Sequence, residues 1–150
     1  MLNPYVLASR ALAAQNRQPG ENTPNGDGGK YMLELPWTRP LLSLNDRPHP
    51  LRRAEYVKTM RETAHILAKA NNLPRDKTHV IVTLFWRPPD NRRRDAENPI
   101  PVLKALCDGL VDHGLVPDDT PDFMTKLMPV IVPRKKGDKA RMWLEIVIES

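Results

Sequence analysis

The chain has 150 residues, which is long enough for one domain with its own hydrophobic core but short for two. Lysine and arginine number 23 against 18 acidic residues, and the net charge of +5 favours an anionic partner such as nucleic acid, although a basic soluble protein without such a partner has the same balance. A single cysteine, Cys107, excludes an intramolecular disulfide, and no run is long and apolar enough for a signal peptide or a bilayer span. These features favour a reducing cytoplasm and no membrane.

The first residues are predicted to lie outside the folded domain. Residues 1–16 contain apolar side chains that would suit a short helix, but residues 17–30 are rich in Gly, Pro, Asn and Asp and have almost nothing to bury. The sequence therefore predicts a flexible extension over residues 1–29 and a domain over residues 30–150. This domain begins with a strand at residues 31–35.

Helix and strand patterns alternate through the middle of the chain. Apolar residues recur at helical spacing between residues 51 and 70, which predicts an amphipathic helix. The β-branched and aromatic run at residues 79–86 predicts a central strand buried on both sides. A polar loop leads to a second amphipathic helix at residues 101–113, for which Gly114 is the predicted C-terminal cap.

Two strands are predicted to complete the chain. They cover residues 123–132 and 139–148 and are joined by a hairpin turn at residues 133–138 that has a basic tip. Pro129 places the first of them towards a sheet edge. The whole order predicts an α/β (α+β) fold, a small mixed sheet of about four strands with two main helices packed on it.

The most distinctive stretch of the sequence concentrates acids beside arginines. Asp95 and Glu97 follow directly after an arginine run, and Asp118 and Asp119 follow the second helix. In an extended backbone the side chains of Asp95 and Glu97 leave from the same side. Such a set of carboxylates favours a hard divalent cation, Mg²⁺ or in its place Mn²⁺, bound by these four acids. The competing interpretation is that each acid caps a helix or lies in solvent.

A cation at such a site suits phosphodiester hydrolysis. It polarises a phosphoryl oxygen, lowers the pKa of an attacking water and stabilises the leaving oxygen. Lys104, on the second helix, would add a positive charge for the phosphate. Its alternative role is that of a solvent-facing lysine paired with Asp108, one helical turn further on.

Two basic groups are candidates for contacts with DNA phosphates, although charge runs are also common on solvated faces. They consist of Arg92, Arg93, Arg94, Arg134, Lys135 and Lys136. Asn98 is predicted to orient the loop or cap the helix, with substrate contact the lesser role. Phe85, Trp86 and Cys107 are interpreted mainly as core residues, with base stacking as the lesser role of the two aromatics.

The acidic and basic residues together resemble the RusA-type crossover junction endodeoxyribonucleases, small Holliday-junction resolvases of phages and prophages. The pattern of that family is an arginine-flanked Asp-x-Asp-Asn, then a helical lysine with Asp-x-Leu one turn later, and finally an Asp-Asp pair. The matching residues here are Arg94, Asp95, Glu97, Asn98, Lys104, Asp108, Leu110, Asp118 and Asp119. The resemblance extends more loosely over about residues 30–148 and leaves residues 1–29 outside it.

The resemblance implies a magnesium-dependent homodimer that binds four-way DNA junctions and nicks two strands symmetrically, in the cytoplasm of a bacterial or phage-infected cell. It also implies that Asp95, Glu97 and Asp119 bind the metal, that Lys104 is catalytic and that Arg94 contacts DNA. Two features depart from the pattern. Glu97 stands where aspartate is commonest, and Lys104 follows Asn98 by six residues, which is longer than in the shorter members of the family.

Three classes of function are therefore open from the sequence. The first is a junction endonuclease of DNA recombination and repair. The second is a branched-DNA-binding protein whose catalytic site is impaired by Glu97 and the longer loop before Lys104. The third is a protein-interaction role, in which the N-terminal segment docks on a partner and the basic charge is incidental.

Overall fold

The computed structural model describes residues 29–149, in which two helices pack on a mixed five-stranded sheet. The elements are β1 (Lys30–Glu34), α1 (Pro50–Ala70), β2 (His79–Arg87), α2 (Ile100–His113), β3 (Met124–Lys126), β4 (Val130–Ile131) and β5 (Arg141–Glu149). This confirms the predicted fold class. The extension predicted for residues 1–29 lies, except for Gly29, outside the described residues.

β2 is the central strand of the sheet, as its β-branched and aromatic composition predicts. On one side it pairs antiparallel with β5, which pairs antiparallel with β1. On the other side it pairs in parallel with β3 and, further along, with β4. β2 therefore supplies hydrogen bonds along both edges, and its carboxyl end is the point where several connections meet.

One face of the sheet is buried beneath the helices, and the other is not. Alternate residues of the strands, such as Leu33, Leu84 and Leu144, are fully buried, whereas Ile81 and Phe85 on the opposite face are half-buried. The expectation that β2 is buried on both sides is therefore wrong. β1, β2 and β3 run in the same direction, and the crossovers from β1 to β2 and from β2 to β3 move towards the same edge of the sheet. Since such crossovers are right-handed, α1 and α2 lie on the same face of the sheet.

The C-terminal strands differ from their predicted arrangement. The strand predicted at residues 123–132 is divided into β3 and β4, and Pro129 lies in the interruption. The predicted hairpin to the last strand is wrong, because β4 and β5 lie on opposite sides of β2. A segment interrupted by proline offers few N–H donors to a strand ladder and stays at the edge of the sheet. The connection from β4 to β5 crosses the end of β2, where Arg87 Nε donates to the Lys139 carbonyl at 2.8 Å.

The two helices approach each other closely at Gly109. A Cβ atom there would lie 2.2 Å from the Arg61 carbonyl oxygen, so only glycine fits. Beside it, the Arg61 guanidinium donates twice to Asp112, at 2.5 and 2.7 Å, and holds the pKa of that carboxyl below its usual value. Gly114, with φ of +95°, forms the predicted left-handed cap of α2.

Neither helix within residues 29–149 combines the length and the apolarity needed to cross a membrane.

Candidate active site

α2 and the turn that follows it bring two of the predicted site residues together. Lys104 lies near the start of α2, and its Nζ donates to Asp119 Oδ2 at 2.6 Å. It also donates to Asp108 Oδ1 at 3.0 Å, one helical turn further on. The pairing with Asp108, the alternative role that the sequence offered for Lys104, is therefore present, and the additional contact with Asp119 makes the lysine a bridge between the two acids.

A second lysine, which sequence reasoning missed, contacts the same carboxylate oxygen. Lys126 of β3 donates from Nζ to Asp119 Oδ2 at 2.6 Å. Lys126 shares the helix-facing side of its strand with buried Met124, in register with Val82 of β2. In the sequence, a lysine on the inward face of an edge strand would have indicated this contact, but the inward face can be recognised only when the strand register is known.

The contacts of Asp119 determine its charge state. The hydrogen bond from Lys104, followed by that from Lys126, holds the pKa of Asp119 far below its usual value. The hydrogen bond to Asp119 in turn raises the pKa of Lys104. Asp119 is thus a stable anion and a poor proton acceptor in this state, and Asp108 and Asp119 formally balance the two ammonium groups. We call these four residues the helix–turn cluster.

A cavity of about 310 Å³ opens beside the helix–turn cluster. Its lining combines the two lysines with apolar side chains: Ile100, Leu103, Lys104, Lys126, Leu127, Met128 and Pro129. Leu127 and Met128 are 46% and 53% exposed, so the mouth of the cavity is apolar. An anionic group that entered the cavity would reach the ammonium groups past apolar walls.

Asp95 and Glu97 lie in the loop between β2 and α2, where they form a turn. Asp95 Oδ1 accepts from the Glu97 amide at 3.1 Å, and both side chains are exposed. Within residues 29–149, no three side chains of His, Cys, Asp or Glu gather as a metal-binding group. The structure therefore does not join Asp95 and Glu97 with Asp119 in one ligand set.

The arginines of this loop are organised by Asp90, another residue that the sequence did not single out. Asp90 Oδ1 accepts from the Arg92 amide at 3.0 Å and from Arg94 Nη2 at 2.8 Å. The Arg94 side chain is only 13% exposed and lies 5.3 Å over the Trp86 ring. Arg94 is thus committed to the loop, whereas Arg93 is exposed and accessible to a phosphate. Arg92 is exposed as well, although its Nε also donates to Asp90 Oδ1 at 3.2 Å. We call residues 90–98 the arginine loop.

The second basic group lies next to the arginine loop. Asn91 donates from Nδ2 to the Arg134 carbonyl at 2.8 Å and accepts from the Arg134 amide at 2.7 Å. The neighbouring Lys135 and Lys136 are exposed. Since the connection from β4 to β5 crosses the end of β2, both predicted basic groups flank the same end of the sheet.

The remaining sequence candidates have structural contacts. The Asn98 carbonyl accepts from the Leu44 amide at 3.2 Å. Pro99 is the N-cap residue of α2 and no side chain caps the helix, so Asn98 orients the loop and does not cap the helix. Trp86 is buried and donates to the Thr38 carbonyl at 3.0 Å. Phe85 is half-buried and stacks on Trp143 of β5, with ring centroids 5.2 Å apart.

Cys107 is fully buried, and burial raises the pKa of its thiol to about 12. A thiol in this environment is protonated at neutral pH and has little nucleophilic character. The interpretation of Cys107 as a core residue is confirmed.

The acidic residues suit a hard cation in kind but not in their arrangement. Mg²⁺ usually takes one or two carboxylates together with waters and substrate phosphates. Asp118 and Asp119 have the right donor atoms, but Asp118 Oδ1 accepts from the Asp119 amide at 2.8 Å and Asp119 Oδ2 holds both lysines. A cation would therefore have to displace an ammonium group or use the other carboxylate oxygen.

Comparison of the chain with protein-family models gives no match, and comparison with curated proteins gives no significantly similar sequence.

Proposed function

We propose that the protein is a magnesium-dependent, structure-selective DNA endonuclease that resolves four-way junctions by paired nicks in DNA recombination or repair. It would act as a homodimer on branched DNA, with Mn²⁺ able to replace Mg²⁺. The observation that supports this best is the contact of Lys104 with Asp119 at 2.6 Å, because residues from separate parts of one sequence motif meet there.

The accessible charges suggest how DNA would be held. Arg92 and Arg93 of the arginine loop and the neighbouring Lys135 and Lys136 would contact backbone phosphates on either side of the end of β2. Lys104, more than half exposed, would bind the phosphate at which cleavage occurs.

The acids of the motif complete the proposal. Asp95, Glu97, Asp118 and Asp119 would provide the oxygen donors for Mg²⁺. When bound, the ion would supply Lewis-acid polarisation of the phosphate and an acidified water.

Cleavage of a synthetic four-way junction, beside a linear duplex of the same sequence, tests this proposal. With Mg²⁺ we expect nicking of the junction, and Asp95→Asn is expected to reduce its rate on the order of 100-fold because a proposed ligand is neutralised. Junction binding should persist or tighten, since negative charge near a phosphate is removed. Asp76→Asn is the matched control, because Asp76 is exposed and has φ of +57°, which asparagine also adopts.

Equal rates for wild type and Asp95→Asn would contradict the proposed mechanism, and equal cleavage of junction and duplex would contradict the structure selectivity. Analytical ultracentrifugation tests the homodimer, which requires twice the monomer mass in solution.

A second candidate, a branched-DNA-binding protein without cleavage activity, is favoured by one observation. Asp119 Oδ2, one of the proposed metal donors, is held by the ammonium groups of Lys104 and Lys126. Junction binding in a gel-shift assay, with no nicking at any Mg²⁺ concentration, would support this candidate. If no DNA is bound even at low salt, both nucleic-acid proposals fail.

A further inference from the structure

Asp119 carries two ammonium groups on a single carboxylate oxygen. Nζ of Lys104 and Nζ of Lys126 each lie 2.6 Å from Oδ2, and the Asp119 side chain is only 15% exposed. A divalent cation and an ammonium group at the same carboxylate repel each other, and they do so more strongly where water is partly excluded. In this form of the protein the two lysines therefore occupy Oδ2 of Asp119 and disfavour a cation at that carboxylate.

The two lysines differ in what they lose on leaving Asp119. Lys104 is 56% exposed, lies on α2 and keeps a second carboxylate partner, Asp108, at 3.0 Å. Lys126 is 28% exposed and projects from β3, whose backbone is fixed by pairing with β2. Lys104 is thus the lysine that can move to a phosphate, and Lys126 is the lysine that stays.

We infer that Lys126 is a positioning residue that, together with Lys104, keeps Asp119 occupied in the DNA-free protein, so that a divalent cation gains Asp119 when a DNA phosphate draws Lys104 away. That the phosphate belongs to DNA rests on the proposed function, whereas the contacts of the two lysines with Asp119 do not. By thermodynamic linkage, the phosphate and the cation must then strengthen each other's binding by the same factor.

Cation binding in the absence of DNA tests the role of Lys126 directly. The full chain is mixed with increasing Mn²⁺, and free Mn²⁺ is followed by its electron paramagnetic resonance signal. Lys126→Met keeps the length of the side chain but removes its charge, and it should bind Mn²⁺ about fivefold more tightly, the range of a partly exposed ion pair. Lys126→Arg keeps the charge and should bind Mn²⁺ like wild type.

The matched control is Lys69→Met, which removes the same charge from an exposed position on α1. It should leave Mn²⁺ binding unchanged. Circular dichroism and thermal unfolding establish that each variant is folded. Wild-type affinity in Lys126→Met, or equally tightened affinity in Lys126→Arg, would overturn the inference, because the charge of Lys126 would then not be what excludes the cation.

The coupling is measured from the DNA side by fluorescence anisotropy of a labelled four-way junction, with and without Ca²⁺. Ca²⁺ should tighten junction binding by the wild-type protein, and this factor should become smaller in Lys126→Met. Equal binding with and without Ca²⁺ in a wild type that does bind the junction would overturn the coupling. A wild type that binds no junction would instead contradict the proposed function, and the Mn²⁺ measurement would still decide the role of Lys126.

Discussion

The helix–turn cluster and the arginine loop contain comparable charges but are built in different ways. In the helix–turn cluster, Asp119 is contacted by Lys104 from a helix and by Lys126 from a strand, 15 and 7 residues away in sequence. In the arginine loop the acids bond to their own neighbours, since Asp90 accepts from Arg92 and Arg94 within 4 residues. The helix–turn cluster is therefore held by contacts between separate elements of the fold, and the arginine loop mainly by contacts between its own residues.

The two regions therefore differ in how firmly their charges are fixed before a ligand arrives. Partly buried side chains that project from packed elements hold their geometry, whereas exposed loop side chains lose rotamer freedom only on binding. We therefore expect the helix–turn cluster to respond to changes in the scaffold and to pH. The outer arginines should respond to the salt concentration of the DNA-binding reaction.

The largest expected effect comes from Gly109→Ala, which would break the scaffold of the helix–turn cluster. The new methyl group would lie 2.2 Å from the Arg61 carbonyl oxygen and 2.7 Å from the Cβ of Ala64, so α1 and α2 would have to separate. Although alanine favours helices, overpacking should dominate and lower the free energy of unfolding by about 2 kcal/mol. Urea denaturation measures this change.

Gly137→Ala is the control for that substitution. Gly137 has φ of +89° and no atom within 4 Å of an added Cβ, so alanine meets backbone strain there but no clash. Its expected cost is about 1 kcal/mol. A cost for Gly109→Ala no larger than that of Gly137→Ala would show that the helices can separate freely, and that the helix–turn cluster is not rigidly held.

The same difference explains how much could be predicted from the sequence. Periodicity identified both helices, because burial on one side imposes its period on the residues, and the β-branched and aromatic composition of β2 identified its central place in the sheet. The i, i+4 spacing predicted the pairing of Lys104 with Asp108, which the structure shows. The motif marked Lys104 and Asp119 as candidate site residues but did not predict the hydrogen bond between them.

The contacts that were missed depend on pairing between distant segments. The position of Lys126 beside Asp119 requires the register of β3 on β2, and the predicted hairpin was wrong because no local signal shows that β4 and β5 flank β2 on opposite sides. Gly109 could not be recognised as a packing residue, because a helical glycine carries no information about the neighbouring helix. Contacts that depend on long-range packing therefore leave no local signal in the sequence.

An intermediate effect is expected from pH acting on the helix–turn cluster. The pKa of Asp119 lies below its ordinary 3.8, so the stabilisation it gives is present above that value and is lost as pH falls through the lowered pKa. The pKa of Lys104 lies above its ordinary 10.5, so its contribution is present below that value and is lost as pH rises through the raised pKa.

The free energy of unfolding of wild type should consequently exceed that of Asp119→Asn by about 1 kcal/mol between about pH 5 and about pH 9, a modest value because Lys104 is more than half exposed. The difference in the free energy of unfolding should narrow towards both pH extremes. Urea denaturation at a series of pH values measures this. If the difference in the free energy of unfolding between wild type and Asp119→Asn changed mainly near neutral pH, it would not come from the ion pair of Asp119 with the lysines.

The smallest effect separates the members of the arginine loop from one another. Arg93 is exposed, so Arg93→Gln should leave the melting temperature unchanged and reduce the slope of log affinity against log salt by about 1, as expected for one lost phosphate contact. Arg94 bonds to Asp90 and lies over Trp86. Arg94→Gln should therefore lower the free energy of unfolding by about 1 kcal/mol, and with it the melting temperature, but leave the slope of log affinity against log salt unchanged. Anisotropy of labelled junction DNA at several salt concentrations, together with thermal unfolding, distinguishes the two. A slope reduced by about 1 in Arg94→Gln would instead identify Arg94 as a phosphate contact, and would mean that DNA opens the loop that Asp90 holds.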